Sequence, residues 1–111
     1  MKTAAIYARF SSDMQREESI DAQIRACKYF AQKSEYDVIK IYADKAQSGK
    51  YTNNREQFNV MLDDARGGLF DTILVHKLNR FSRSGKDTLN LMDDLQDIGV
   101  EVVSVTERLD N

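Results

Sequence analysis

Arg9 and Ser11 stand two residues apart at the end of one short apolar stretch, and Arg80 and Arg83 stand three apart at the end of another. The first spacing turns both side chains to the same side of an extended backbone. The second places both on one side of a helical turn, with Leu78 and Phe81 available to anchor the other side. A hydroxyl ringed by guanidiniums is suited to attack on a phosphate ester. A serine oxygen is a poor nucleophile unless its proton is drawn off and the charge growing on the phosphorus oxygens is neutralised. Arginine does the second task well, because its planar fork binds phosphate oxygens two at a time. Such chemistry requires neither metal nor cofactor, and none is expected: the chain has 1 His and 1 Cys.

These residues can act together only if the elements carrying them are neighbours. Strand-like and helix-like segments alternate along the chain, the pattern of an α/β domain with a mainly parallel sheet. Residues 3–9 read as a first strand. Residues 19–34 read as a helix with Ile20, Ile24, Cys27 and Ala31 on one buried face. Residues 38–43 give a second strand, and the polar, glycine-containing stretch 44–54 a long loop. Asn54 with Gln57 resembles a capping box opening a helix whose Phe58, Met61, Leu62 and Ala65 face inward, stopped by Gly67-Gly68. Residues 72–76 form a third strand and 78–82 an irregular basic turn. Ser84 with Asp87 is a second capping box, before a helix with Thr88, Leu91, Met92, Leu95 and Ile98 on its buried face, and 100–105 complete the sheet. Ligands of open α/β sheets bind outside the carboxyl ends of strands where the strand order reverses. A three-layer, flavodoxin-like α/β/α domain of about four strands in the order 2-1-3-4 therefore sets Arg9 and Ser11 across a short gap from Arg80 and Arg83.

With 111 residues, 41% hydrophobic and 31% charged, the chain has the composition of one ordinary globular domain rather than a disordered or fibrous one. No apolar run approaches the ~18 residues of a membrane span, and the start has no signal-peptide core. The expectation is a cytoplasmic protein with no membrane partner. A net charge of −2 is unlike a freestanding nucleic-acid-binding domain. The charge is segregated, however. Lys77, Arg80, Arg83 and Lys86 fall together without an acid, and Asp87, Asp93, Asp94 and Asp97 follow without a base. Contact with DNA would be local.

The run Tyr7-Ala8-Arg9-Phe10-Ser11-Ser12, followed by Gln15, resembles the Tyr-Ala-Arg-x-Ser-[Ser/Thr] start of the serine recombinases, the resolvase/invertase superfamily. Lys77-Leu78-Asn79-Arg80-Phe81-Ser82-Arg83 is similar to that family's Lys-Leu-Asp-Arg-x-x-Arg segment, and Arg55 matches its arginine after the loop. Glu18-Ser19-Ile20-Asp21-Ala22-Gln23 and Phe81-Ser82-Arg83 look most like the large integrase and transposase branch. The resemblance covers essentially the whole chain. It implies that Ser11 attacks a DNA phosphodiester to give a 5′-phosphoseryl enzyme and a free 3′-hydroxyl, with rejoining by the reverse attack. Arg9, Arg55, Arg80 and Arg83 would hold the phosphate, Gln15 would arrange the pocket and Lys77 would lie beside it. Asn79 departs from the family's aspartate, and an amide accepts no proton at neutral pH. The resemblance also implies that residues 1–111 are the N-terminal part of a catalytic domain whose interface helix and DNA-binding domains lie elsewhere. The complete protein would form dimers and tetramers on double-stranded DNA; this piece would be a monomer or a non-physiological dimer.

Each residue also has a plainer reading. Ser12 and Gln15 have the spacing of a cap pair. Arg80 and Arg83 could be a solvated turn, Arg55 could pair with Asp44 or Glu56, and Lys77 could serve solubility alone. Cys27 reads as core, and packing accounts for His76 and Tyr7. The alternative to catalysis is a recombinase-like domain that binds or assembles without cutting. A phosphate-binding flavodoxin-like domain is weaker still, since the first turn has no glycine-rich loop.

Overall fold

The computed structural model describes residues 2–10, 19–45, 55–81 and 85–107. Strand β1 (Lys2–Phe10) leads through α1 (Ile20–Lys33), β2 (Tyr36–Lys45) and α2 (Glu56–Arg66) to β3 (Thr72–Val75). The one-turn α3 (Leu78–Phe81), α4 (Gly85–Asp97) and β4 (Glu101–Ser104) follow. The strands form one parallel sheet in the order β2-β1-β3-β4, the order expected for a flavodoxin-like domain. The ends of β1 and β3 lie side by side.

Strand alternation divides the interior into two cores. Ala4, Ile6 and Leu74 face Cys27 and Ala31 of α1. Ala5, Tyr7, Ile73 and Val75 face the opposite way, toward Phe58, Met61, Leu62 and Ala65 of α2, Phe81 of α3 and Leu95 of α4. The result is three layers, with one helix on one face and three on the other. A fully buried side chain such as Met61 stabilises the fold by on the order of 2 kcal/mol. No described helix is long and apolar enough to cross a membrane.

The period of two breaks once, in β2. Ala4 pairs with Val38 but Ala5 pairs with Lys40, leaving Ile39 as an extra residue. Before this bulge Tyr36 and Val38 pack on the α1 core, and beyond it Tyr42 joins the α2 core. Asp44, two residues further on, is turned toward α2 with it.

The helix ends show which local signals operate. Ser19 caps α1, its Oγ accepting from the Ala22 amide at 3.1 Å. At α2 the expected Asn54 and Gln57 box gives way to another device. Arg55 occupies the cap position with no side-chain cap bond. Asp44 reaches over from β2 to accept from the Gln57 and Phe58 amides at 2.9 and 3.0 Å. A carboxylate there satisfies two orphan donors and faces the positive end of the helix dipole. Asp44 and Lys45, expected in a loop, therefore belong to the sheet, while Asn54 and the rest of that loop lie outside the described residues. Gly67-Gly68 ends α2 as expected, with Gly68 at φ 82°. Residues 78–81, expected as irregular turn, make α3. Ser84 is outside the described residues. Ile98, expected inside, is 48% exposed because α4 ends at Asp97 and the chain turns away through Gly99.

Candidate active site

At the carboxyl ends of β1 and β3 the structure brings Arg9, Arg55, Asn79 and Arg80 together. Arg9 follows Tyr7 by two residues, so its side chain leaves the sheet on the α2 and α3 face. Its Nη2 donates to the Asn79 carbonyl at 3.2 Å. Both Arg9 and Arg80 are buried, at 9% and 4% exposure. Such burial tells against a merely solvated basic turn, because a cation leaves water only where other groups answer it. Lys77 is half-buried between β3 and α3, and Asn79 is exposed. Ser11, Ser12, Gln15 and Arg83 lie outside the described residues.

Helix α3 is too short to hold itself together, since one turn makes almost no internal hydrogen bonds. Side chains from three other segments hold it. Oε1 of Glu107 accepts from the Leu78 amide at 2.7 Å and from Ser104 Oγ at 2.9 Å. Arg9 takes the Asn79 carbonyl from the middle of the turn. At the far end Arg55 Nη2 donates to the carbonyls of Arg80, at 3.3 Å, and Phe81. Anion at the first amide and cation at the last carbonyls match the helix dipole at both ends. The Leu78 amide, with Ser104 adding to it, holds the Glu107 carboxyl below its ordinary value of 4.5.

Arg55 is fixed in its turn. Its guanidinium lies over the Phe58 ring, 3.6 Å from the centroid, and its Nε donates to the Tyr7 hydroxyl at 3.4 Å. That hydroxyl donates to Asp44 Oδ2 at 2.7 Å. Asp44 thus does two tasks from one buried position: it caps α2, and it orients the phenol against which Arg55 rests. The local pairing of Arg55 with Asp44 or Glu56 gives way to this indirect link through Tyr7. Burial pushes the Tyr7 phenol well above the usual tyrosine range, Arg55 opposing and Asp44 adding to the effect. With its proton committed to Asp44, Tyr7 is a structural donor. His76 is buried beside the same strand end, and its carbonyl accepts from Thr106 Oγ1 at 2.6 Å.

Tyr7 and Gln23 stand in the stretches that resemble the serine recombinases without a role having been read for either, and Asp44 and Glu107 carried no strong signal. Cys27 is core as expected, and burial pushes its thiol up to about 12. Among the described residues no cluster of His, Cys, Asp and Glu stands close enough to hold a metal ion.

Residues 4–111 match the family described as resolvase, N-terminal domain. The chain belongs to that family. It is 34% identical over 101 residues to a resolvase of Clostridium perfringens, covering 91% of this chain and 48% of the relative. It is 28% identical over 104 residues to the Tn917 resolvase of Enterococcus faecalis, covering 94% and 50%. The chain spans about half the length of these curated relatives. Among solved structures, a resolvase family site-specific recombinase from Streptococcus pneumoniae superposes with a TM-score of 0.87 at 34% identity. That match covers 100% of this chain and 76% of the other. The N-terminal catalytic domain of TP901-1 integrase gives 0.80 at 34%, covering 96% and 78%.

Proposed function

We propose that this chain is the catalytic part of a site-specific DNA recombinase in which Ser11 is the nucleophile. Its Oγ attacks a backbone phosphorus, a bond to phosphorus forms, and the bond to the 3′-oxygen breaks. The serine gives up its proton and the leaving oxygen gains one. Reversal of the step on an exchanged end rejoins the strand. The observation that supports the reading is the burial of two arginines at the adjoining ends of β1 and β3: Arg9, whose guanidinium donates to the Asn79 carbonyl, and Arg80, the next residue of the same turn. Arg83 completes the positive pocket, Arg55 holds α3 in place or turns onto the phosphate, Lys77 borders it, and Gln15 helps arrange it. The substrate is double-stranded DNA in the cytoplasm, and the complete protein acts as a dimer or tetramer.

One feature favours a second reading, a domain that assembles on DNA without cutting: Asn79 supplies no proton acceptor where the family's pattern has aspartate. Covalent trapping separates the two. The intact protein, incubated with nicked duplex from its element's junction, is expected to give an SDS-resistant adduct that Ser11→Ala abolishes and Ser12→Ala retains. Binding without any adduct would establish the second reading, and restoration of the adduct by Asn79→Asp would locate its cause.

A further inference from the structure

Gln23 sits on the buried face of α1 with none of its surface exposed. Its neighbours on that face, Cys27 and Ala31, are apolar, and a leucine there would fill space without the cost of burying an amide. Both ends of the amide are nevertheless used, and both on one residue. Oε1 accepts from the Arg9 N–H at 3.2 Å, and Nε2 donates to the Arg9 carbonyl at 2.9 Å. This is the pattern a residue of an adjacent strand would make. The sheet explains the need. Pairing with β3 ends at Tyr7 and Val75, yet β1 continues to Phe10. The β1 backbone thus outruns β3 by three residues just before position 11, and the Gln23 amide binds it where the neighbouring strand has stopped.

We infer that Gln23 is a positioning residue for the site, holding the Arg9 peptide, two residues before the nucleophile, so that the Arg9 guanidinium keeps its place against α3. The inference rests on Ser11 being the nucleophile. Gln23 touches no reacting atom; it acts through a backbone two residues away. Because Arg9 reaches α3 with its side chain while its backbone is gripped by α1, one residue links the two faces of the sheet across the site. Loosening the grip would free the Arg9 peptide, and misplacement of a catalytic group by about 1 Å slows a reaction about 100-fold.

The test is the single-turnover rate of Ser11 adduct formation by the intact protein on saturating nicked duplex, with DNA affinity measured alongside. Gln23→Leu is expected to slow the adduct about 10- to 100-fold with affinity unchanged. Gln23→Glu carries the test alone should the leucine variant not fold. Its carboxylate still accepts from the Arg9 amide but faces the Arg9 carbonyl with a second oxygen. Protonation restores the donor, so its deficit relative to wild type shrinks as pH falls; a urea titration at each pH confirms that the variant is folded throughout, so that the recovery is read on folded protein. Wild-type rates in folded Gln23→Leu, or a Gln23→Glu deficit indifferent to pH, would overturn the inference and leave the nucleophile untouched. Absence of a Ser11-dependent adduct from wild-type protein that binds the DNA would overturn both.

Discussion

The two strand ends that meet at the site are held in opposite ways. The end of β1 is gripped by one neutral amide sealed inside the α1 core. The turn after β3 is gripped by ionised side chains, Glu107 at its first amide and Arg55 at its last carbonyls, near the protein surface. A neutral, buried grip is insensitive to salt and pH over the range in which the protein stays folded. A charged grip in partial contact with water is weakened by both. The attacking side of the site is thus built to stay constant, and the α3 side is the one that conditions can loosen.

The largest way to break this contrast is through Asp44, on which the charged side depends. Asp44→Ala removes the acceptor of the Tyr7 hydroxyl and of two α2 amides, and should cost roughly 3 kcal/mol in a urea titration. A loss below about 1 kcal/mol would mean that α2 and Arg55 are held by packing instead. Tyr7→Phe should cost about 1–2 kcal/mol, leaving Asp44 one donor short while keeping the ring against Phe58. Glu107 gives the pH arm. Its folded carboxyl lies below the ordinary 4.5, so its stabilisation is complete above that value and is lost as pH falls through the depressed one. Exposure keeps this to about 0.5 kcal/mol. Acid titration of Glu107→Gln should show a flatter low-pH limb than wild type, and identical limbs would remove Glu107 from the grip. Least of all should happen at Cys27, one helical turn beyond Gln23. With its thiol at about 12 and fully buried, alkylation in native protein should proceed no faster than unfolding. Faster labelling would show that the α1 core opens locally and that the neutral grip is the loose one.

Much of this architecture was legible because it rests on local patterns. Short apolar, β-prone runs gave the strands, and the spacing of Phe58, Met61, Leu62 and Ala65 gave a face that is buried at every position. The strand order was that of a flavodoxin-like domain, the ligand-site rule of open sheets singled out the ends of its first and third strands, and the juxtaposition of Arg9 with α3 followed from both. What escaped was non-local or too short for a period. A four-residue helix shows no repeat, so α3 read as an irregular turn. Asp44 read as the start of a polar loop because the amides it satisfies are 13 and 14 residues away. Gln23 was visible only as part of the stretch resembling the integrase and transposase branch, since nothing in a linear sequence says that β1 outlasts its neighbour. The burial of Arg80 was likewise invisible, depending on packing from several elements at once.

The extra residue at Ile39 bears on how relatives of this chain are to be lined up. A strand with one residue too many has two kinds of shorter cousin. If the missing residue is the bulge itself, the strand straightens and Tyr42 and Asp44 still face α2. If it is lost between Tyr42 and Asp44, those two side chains fall on opposite sides of the sheet, and either the Tyr42 packing or the α2 cap with its Tyr7 contact is lost. A length difference within β2 is therefore best drawn as a gap at Ile39, and a family member that cannot be aligned that way will have had to anchor its arginine by other means.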